Sequence, residues 1–225
     1  MKISFIVPIR NEEDLLETVL ARVRALPIEK ELVLVDDGST DRTPEILARE
    51  ALKPDTIVLR HEVNRGKGMG IRTGLAHATG DIVIVQDADL EYNPEEVPAI
   101  VQPIIEGRSN ASYGSRFLGR IRKMRPANYI ANRFLSFLVS ALYGQKLTDL
   151  ETAYKAFRRE LVQSIELTCR RFEFDPEVTA KVLRRGEKIS EVPISYNART
   201  FEEGKKIGWR DFFIAIWTLV KFRFF

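Results

Sequence analysis

Short apolar blocks recur through the first half of the chain, each followed by a stretch with helical spacing. Ile3–Ile9 is a β-rich run, and residues 12–25 place Leu15, Leu16, Val19 and Val23 on one face of a helix that Asn11 is positioned to cap. Residues 31–35 form the second strand, which stops at Asp36-Asp37-Gly38-Ser39. Ser39 or Thr40 starts a helix that ends before Pro54. Thr56–Arg60 is the third strand, followed by Asn64-Arg65-Gly66-Lys67-Gly68 and a helix to about Ala78. Gly80 then breaks the chain ahead of a strand at residues 81–86. A helix at residues 95–105 and a short strand at 111–113 complete this rhythm. Strands that are apolar on both faces and separated by helices predict an α/β fold, a mostly parallel sheet covered on both sides.

The second half reads differently. Residues 126–143 carry more apolar surface than a one-sided cover helix requires, and residues 209–225 share that character. Between residues 117 and 146 lie six basic residues (Arg120, Arg122, Lys123, Arg125, Arg133, Lys146) and no acidic one. Two readings stand for these peripheral amphipathic segments, 117–146 and 207–225. They are core or dimer contacts, or they lie in a membrane interface with bases on anionic headgroups and aromatics in the apolar boundary. No run reaches the length of a membrane-spanning helix, and no secretory leader pattern opens the chain.

Length and composition narrow the class. The 225 residues match one domain, and 44% hydrophobic with 30% charged residues excludes a disordered or fibrous chain. A net charge of +3 is too mild to announce nucleic acid, which is not expected as a partner. The single cysteine, Cys169, excludes an intrachain disulfide and favours a reducing compartment, and two histidines leave little room for a histidine-built zinc site.

The candidate chemistry collects where ligands bind in open α/β sheets, beyond the carboxyl ends of the strands. Strand one ends at Pro8–Glu12, strand two at Asp36–Ser39 and strand four at Asp87-Ala88-Asp89. Asp87 and Asp89, two residues apart across a turn, suit a hard divalent cation, with Glu91 the next oxygen ligand. The alternative is an acidic pair that caps the helix near Pro94. Lys67 reads as a phosphate contact or as a solvated loop lysine. Neither a Walker A sequence nor a Gly-x-Gly-x-x-Gly fingerprint is present, so kinase, NTPase and dehydrogenase readings lose ground.

Taken in order, Val7-Pro8-Ile9-Arg10-Asn11-Glu12, Val35-Asp36-Asp37-Gly38-Ser39-Thr40-Asp41, Asn64-Arg65-Gly66-Lys67-Gly68, Asp87-Ala88-Asp89, Gly114-Ser115-Arg116, Thr148-Asp149 and Glu191-Val192-Pro193-Ile194 span nearly the whole chain. This set resembles the family 2 glycosyltransferases of the GT-A fold. Within them it is similar to the polyprenyl-phosphate hexosyltransferases typified by dolichyl-phosphate mannose synthase. The resemblance implies that Pro8, Arg10, Glu12, Asp37, Lys67 and Asp87 border the nucleotide-sugar, and that Asp87, Asp89 and Glu91 hold Mg²⁺ or Mn²⁺. Those synthases usually carry Gln at the position of Glu91. It further implies that Arg116, Arg133 and Arg199 meet the acceptor phosphate, with Lys205 and Lys206 in the same region as Arg199. Asp89, Arg116 and Asp149 are then the catalytic candidates.

The implied reaction is inverting transfer of a hexose, mannose ahead of glucose, from a GDP- or UDP-sugar to a polyprenyl or dolichyl phosphate. The enzyme would be a cytoplasmic protein held peripherally on the inner membrane face. Two rivals remain: transfer to a glycan hydroxyl, which needs a carboxylate base such as Asp149 or Glu151, and a non-catalytic nucleotide-sugar binding protein.

Overall fold

The computed structural model describes residues 1–198 and 208–225. Four parallel strands come first: β1 (Ile3–Ile9), β2 (Lys30–Asp36), β3 (Thr56–Arg60) and β4 (Ile82–Val85). They alternate with α1 (Leu16–Ala25), α2 (Thr43–Glu50) and α3 (Lys67–His77), and a 3₁₀ turn at Pro94–Glu96 leads into α4 (Val97–Ile105). The chain continues through β5 (Ala111–Arg122), α5 (Pro126–Tyr143), β6 (Lys155–Arg158), α6 (Arg159–Gln163), α7 (Phe174–Arg184), β7 (Ile189–Asn197) and α8 (Trp209–Phe224).

The strands form one seven-stranded sheet in the order β3-β2-β1-β4-β6-β5-β7. Only β6 runs against its neighbours, pairing antiparallel with β4 and β5, while β5 and β7 are parallel. The expected α/β architecture, a mostly parallel sheet between helical layers, is therefore present. Alternation along β1 and β4 divides the core. Phe5, Val7, Ile82 and Ile84 face α1, α2 and α4, whereas Ile6, Val83 and Val85 face α3, α5, α7 and α8.

Several details depart from the sequence reading. Helix α2 starts at Thr43, with Arg42 at its cap position, and not at Ser39 or Thr40. Asn11 does not cap α1: its φ is +50° and the helix begins at Leu16. Its side chain instead accepts from Thr40 N–H at 2.9 Å while its own N–H donates to Ser39 Oγ at 3.0 Å, tying the β1 end to the β2 end. The strand expected at 111–113 runs on to Arg122, because after a bulge Arg120, Ile121 and Arg122 pair with Ser195, Tyr196 and Asn197 of β7. The basic stretch is thus partly a strand leading into α5. Finally, β6, α6, α7 and β7 are elements that the sequence spacing does not announce.

Candidate active site

The polar strand ends open into one cavity of about 740 Å³. Pro8, Arg10 and Glu12 line it from β1, Asp37 from β2, Gly66 and Lys67 from the head of α3, and Asp87, Asp89 and Glu91 from the β4 end. Across from them stand Arg116, Glu151, Asp175 and Tyr196, and the cavity runs out between α5 and α8 past Asn128, Asn132, Trp209 and Phe213.

Backbone hydrogen bonds organise the first wall. Asp37 is buried, and its Oδ1 accepts from Arg65 N–H at 2.8 Å and lies 2.7 Å from His61 Nδ1, while Oδ2 accepts from Gly66 N–H at 2.8 Å. Its carboxylate shapes the loop before α3, and Arg10 reaches the Asp37 carbonyl at 3.5 Å. Gly66 has φ +96°, and a side chain there would strike the carbonyl of Arg170. That close approach has a reason: Met69 N–H donates to Arg170 O and Gly68 N–H to Arg171 O, both at 3.0 Å. The first amides of α3 are therefore taken by a protein loop, so the glycine cluster builds a tight joint here and is not an open phosphate cradle.

Lys67 points into the cavity instead and pairs with Asp87 Oδ1 at 2.6 Å. Burial opposes its charge, but Asp87, Asp175 and Asp89 around it more than offset that cost and raise its pKa above the ordinary lysine value. Asp89 is buried and its Oδ1 accepts from Glu91 N–H at 3.0 Å. Glu91 Oε2 accepts from Tyr196 O–H at 2.7 Å. Among the described residues no three His, Cys, Asp or Glu side chains gather as a cation cage.

The opposite wall centres on a buried ion pair. Arg116 donates from Nε to Asp149 Oδ2 and from Nη2 to Asp149 Oδ1, each at 2.7 Å, and its own backbone N–H reaches Oδ2 at 2.9 Å. Nη2 also donates to Asn132 Oδ1 at 3.0 Å, and the guanidinium lies 5.0 Å from the Tyr196 ring centre. Burial disfavours the arginine's charge, yet Asp149 and the tyrosines beside it hold the pKa well above normal.

Arg116 thus faces the cavity while Asp149 lies beneath it, fully buried and outside the lining. Arg133 is on the outer side of α5, exposed, with its guanidinium 5.4 Å from the Phe117 ring centre. Arg199, Lys205 and Lys206 lie outside the described residues. Cys169 is buried beside Glu177, and burial followed by that carboxylate pushes its thiol pKa far up, so it is an inert packing residue.

Residues 4–166 match the family model for glycosyl transferase family 2. The chain belongs to that family. A relative in Photorhabdus laumondii, undecaprenyl-phosphate 4-deoxy-4-formamido-L-arabinose transferase, is 32% identical over 213 residues, covering 91% of this chain and 62% of its own. The enzyme of the same name from Edwardsiella ictaluri is 32% identical over 212 residues, 90% of this chain and 62% of its own. This family 2 chain therefore spans about 62% of the length of those curated relatives.

Among solved structures, glucosyl-3-phosphoglycerate synthase from Mycobacterium tuberculosis, in complex with Mn²⁺, UDP and phosphoglyceric acid, superposes with a TM-score of 0.77. It is 23% identical, and the match covers 99% of this chain and 78% of that one. The likeness is one of fold, and the fold is GT-A. The enzyme class expected from the sequence, a glycosyltransferase, is the class the family name carries.

Sequence motifs located the first wall well. They missed Asn132, Asp175 and Tyr196 in the second. The signal for Asn132 was present as an Asn128, Ala131, Asn132, Leu135 stripe at helical spacing inside an otherwise apolar helix. Asp175 had none, since its position depends on how α7 packs.

Proposed function

We propose that this chain transfers a hexose from a nucleoside diphosphate sugar to the phosphate of a polyprenyl phosphate held at a membrane surface, inverting the anomeric centre. The observation that carries this reading is the continuity of one cavity from the strand-end carboxylates to an exposed aromatic face. On α8, Trp209, Phe213 and Trp217 are 71%, 59% and 60% exposed, and on α5 Ile130 and Phe137 are 67% and 68% exposed. Exposed Arg120, Arg122, Lys123 and Arg125 stand just before α5, and Arg133 on it. Aromatics beside bases suit a lipid interface with anionic headgroups. Among the described residues no helix is long and apolar enough to cross a membrane.

The donor sits at the first wall in this reading. Asp87 and Asp89 offer hard carboxylate oxygens in the cavity, the donor type that Mg²⁺ and Mn²⁺ take, and the remaining ligands would come from the diphosphate and water. Such an ion, when bound, offsets the charge of the departing diphosphate. Lys67 adds a fixed positive charge there, and its pairing with Asp87 keeps it aimed at the diphosphate site.

At the second wall, Arg116 is oriented by Asp149 and Asn132, and its Nη1 has no hydrogen bond among the described residues, which leaves it for an acceptor phosphate oxygen. A phosphate monoester with a second pKa of about 6 is already ionised near neutrality and needs no general base. Asp149 has both oxygens bonded to Arg116 and lies outside the cavity lining, so it is not placed to reach an acceptor hydroxyl. That removes Asp149, though not Glu151, as the base a glycan hydroxyl would need, whereas a phosphate acceptor needs neither.

Incubation with GDP-mannose, UDP-glucose and other labelled nucleotide sugars, Mg²⁺ or Mn²⁺, and short polyprenyl phosphates tests the reading. The names of the curated relatives add 4-deoxy-4-formamido-L-arabinose to the sugars worth trying. Label partitioning into the organic phase, with the mass of one sugar added to the lipid phosphate, is the expected result. Turnover only with hydroxyl acceptors, or none with any donor, sinks it.

A further inference from the structure

Glu151 lies in the turn between α5 and β6 and lines the cavity. Its Oε1 is buried with no hydrogen-bond partner among the described residues. Charged groups face it from each neighbouring element: Asp175 from α7, Lys155 from β6, Arg116 from β5, and Asp149 from its own turn. The two cations are already engaged. Lys155 Nζ donates to Leu150 O at 2.8 Å, to Thr152 O, and to Asp175 Oδ1 at 2.6 Å, and Arg116 is locked onto Asp149. Glu151 itself is half-buried, but an acid with one buried orphan oxygen weakens a fold, because an unmade interior hydrogen bond costs more than a made one returns. Groups kept under such a penalty are concentrated where a ligand completes them.

We propose that Glu151 is a donor-sugar recognition residue, whose carboxyl donates one hydrogen bond to a hydroxyl of the transferred hexose and accepts another. This rests on the donor reading above. Asp175 links the two places: Lys67 beside Asp87 feels its charge, and so does Glu151. Asp87, Asp89, Asp175 and Glu151 line the same cavity, so a hexose hanging from a diphosphate at the two aspartates shares that space with Glu151. Burial, then the Asp175 and Asp149 carboxylates, push the Glu151 carboxyl up to about 8 against the pull of Lys155 and Arg116. With its pKa raised it keeps its proton to higher pH than an ordinary glutamate, and in that form it carries both a donor and an acceptor and adds no repulsion to the donor's diphosphate.

Titration calorimetry with UDP, UDP-glucose, GDP and GDP-mannose, each with Mn²⁺, tests this on the wild type, Glu151→Gln and Glu151→Leu. Glu151→Leu is expected to weaken the sugar nucleotide that the wild type prefers by about tenfold, the worth of roughly one hydrogen bond. The matching bare nucleotide should stay within about twofold. Glu151→Gln, which keeps a donor and an acceptor, should hold the sugar nucleotide within about threefold. The melting temperature of Glu151→Leu should be unchanged or higher, a result that a structural carboxyl would not give.

Equal losses for nucleotide and sugar nucleotide, or no loss, overturn the assignment. So does a wild type that binds a sugar nucleotide no better than its nucleotide. Glu151→Met is the second apolar variant, and failure of both Leu and Met to fold marks the carboxyl as structural and overturns the proposal. A wild type that binds none of the four compounds overturns the donor reading as well; a sugar preference retained in Glu151→Leu overturns this inference alone.

Discussion

The two walls of the cavity treat their polar groups in different ways. On the β1–β2–β4 side, Asp37, Asn11 and Ser39 are consumed by backbone amides, and even the amides heading α3 are closed by the Arg170–Arg171 carbonyls. On the other side, side chain meets side chain: Arg116 with Asp149 and Asn132, Tyr196 with Glu91, Lys155 with Asp175. Beyond them aromatic rings stand in solvent. A wall fixed by backbone bonds holds its shape whatever is bound, whereas one made of side-chain pairs depends on its neighbours being present. The first suits a donor with constant parts, a nucleotide and a diphosphate; the second suits an acceptor that arrives from a different phase.

That contrast is broken most sharply at its meeting point. Asp89→Asn should lower sugar transfer by about 10³-fold, because one removed charge partner at a developing diphosphate is worth that order. Melting should stay within a few degrees of wild type, since the asparagine Oδ1 can still accept from Glu91 N–H. Transfer measured with labelled donor, at equal activity in wild type and variant or with chelator present, contradicts the assignment of Asp89 to the diphosphate corner.

Arg116→Met sharpens the other half of the comparison. It strands Asp149 in a fully buried position and should cost about 3–5 kcal/mol of folding free energy, read from urea melts. Arg116→Met combined with Asp149→Leu should recover most of that, because removing both charges leaves nothing unpaired. Recovery of stability without recovery of transfer is the expected pattern. A double variant that transfers sugar at the wild-type rate removes Arg116 from the acceptor site.

The same contrast explains what was legible in advance. Strands β1 to β4 and helices α3 and α5 follow from apolar spacing and from glycine and proline punctuation, and α5 begins and ends where the sequence placed it, at Pro126 and Tyr143. The strand-end motifs Pro8–Glu12, Asp37 and Asp87–Asp89 could be read because local backbone geometry fixes them. β6 escaped notice because four residues, Lys155–Arg158, carry two basic side chains, one of them the buried Lys155, a pattern that looks like surface until Asp175 is brought beside it. The bidentate pairing of Asp149 with Arg116 was not legible, because only the fold brings together residues 33 positions apart.

The aromatic rim yields a smaller effect. Phe213→Ser with Trp217→Ser should leave stability within about 0.5 kcal/mol, as expected for exposed positions. Sedimentation with vesicles of anionic phospholipid should fall about tenfold, for two buried rings at a lipid boundary. Replacing anionic by zwitterionic lipid should weaken the wild type as well, through the bases at residues 120–125. Unchanged recovery of the double variant contradicts the interfacial role of α8.

The smallest expected effect lies far from the cavity, at the opposite end of the sheet, and serves as the control for the comparison. Glu31 is buried, with Oε2 2.8 Å from Lys2 Nζ. It accepts from Ser4 O–H at 2.5 Å and from the Thr79 N–H and O–H, each at 2.6 Å. Burial works against its charge, but these partners together lower its pKa to about 2. A carboxylate whose folded pKa is depressed contributes stability that is fully present above its unfolded value of about 4.5 and is lost as pH falls toward 2. The loss should be about 1–2 kcal/mol, less than the full shift implies because Lys2 is at the surface and screened by solvent. Urea melts between pH 5 and pH 2 should show this decline in the wild type and a shallower one in Glu31→Gln. Because Glu31 touches neither wall, sugar transfer by Glu31→Gln at neutral pH should match the wild type. A loss of transfer there would mean that the sheet's far end governs the cavity, and the distinction between its two walls would no longer account for activity.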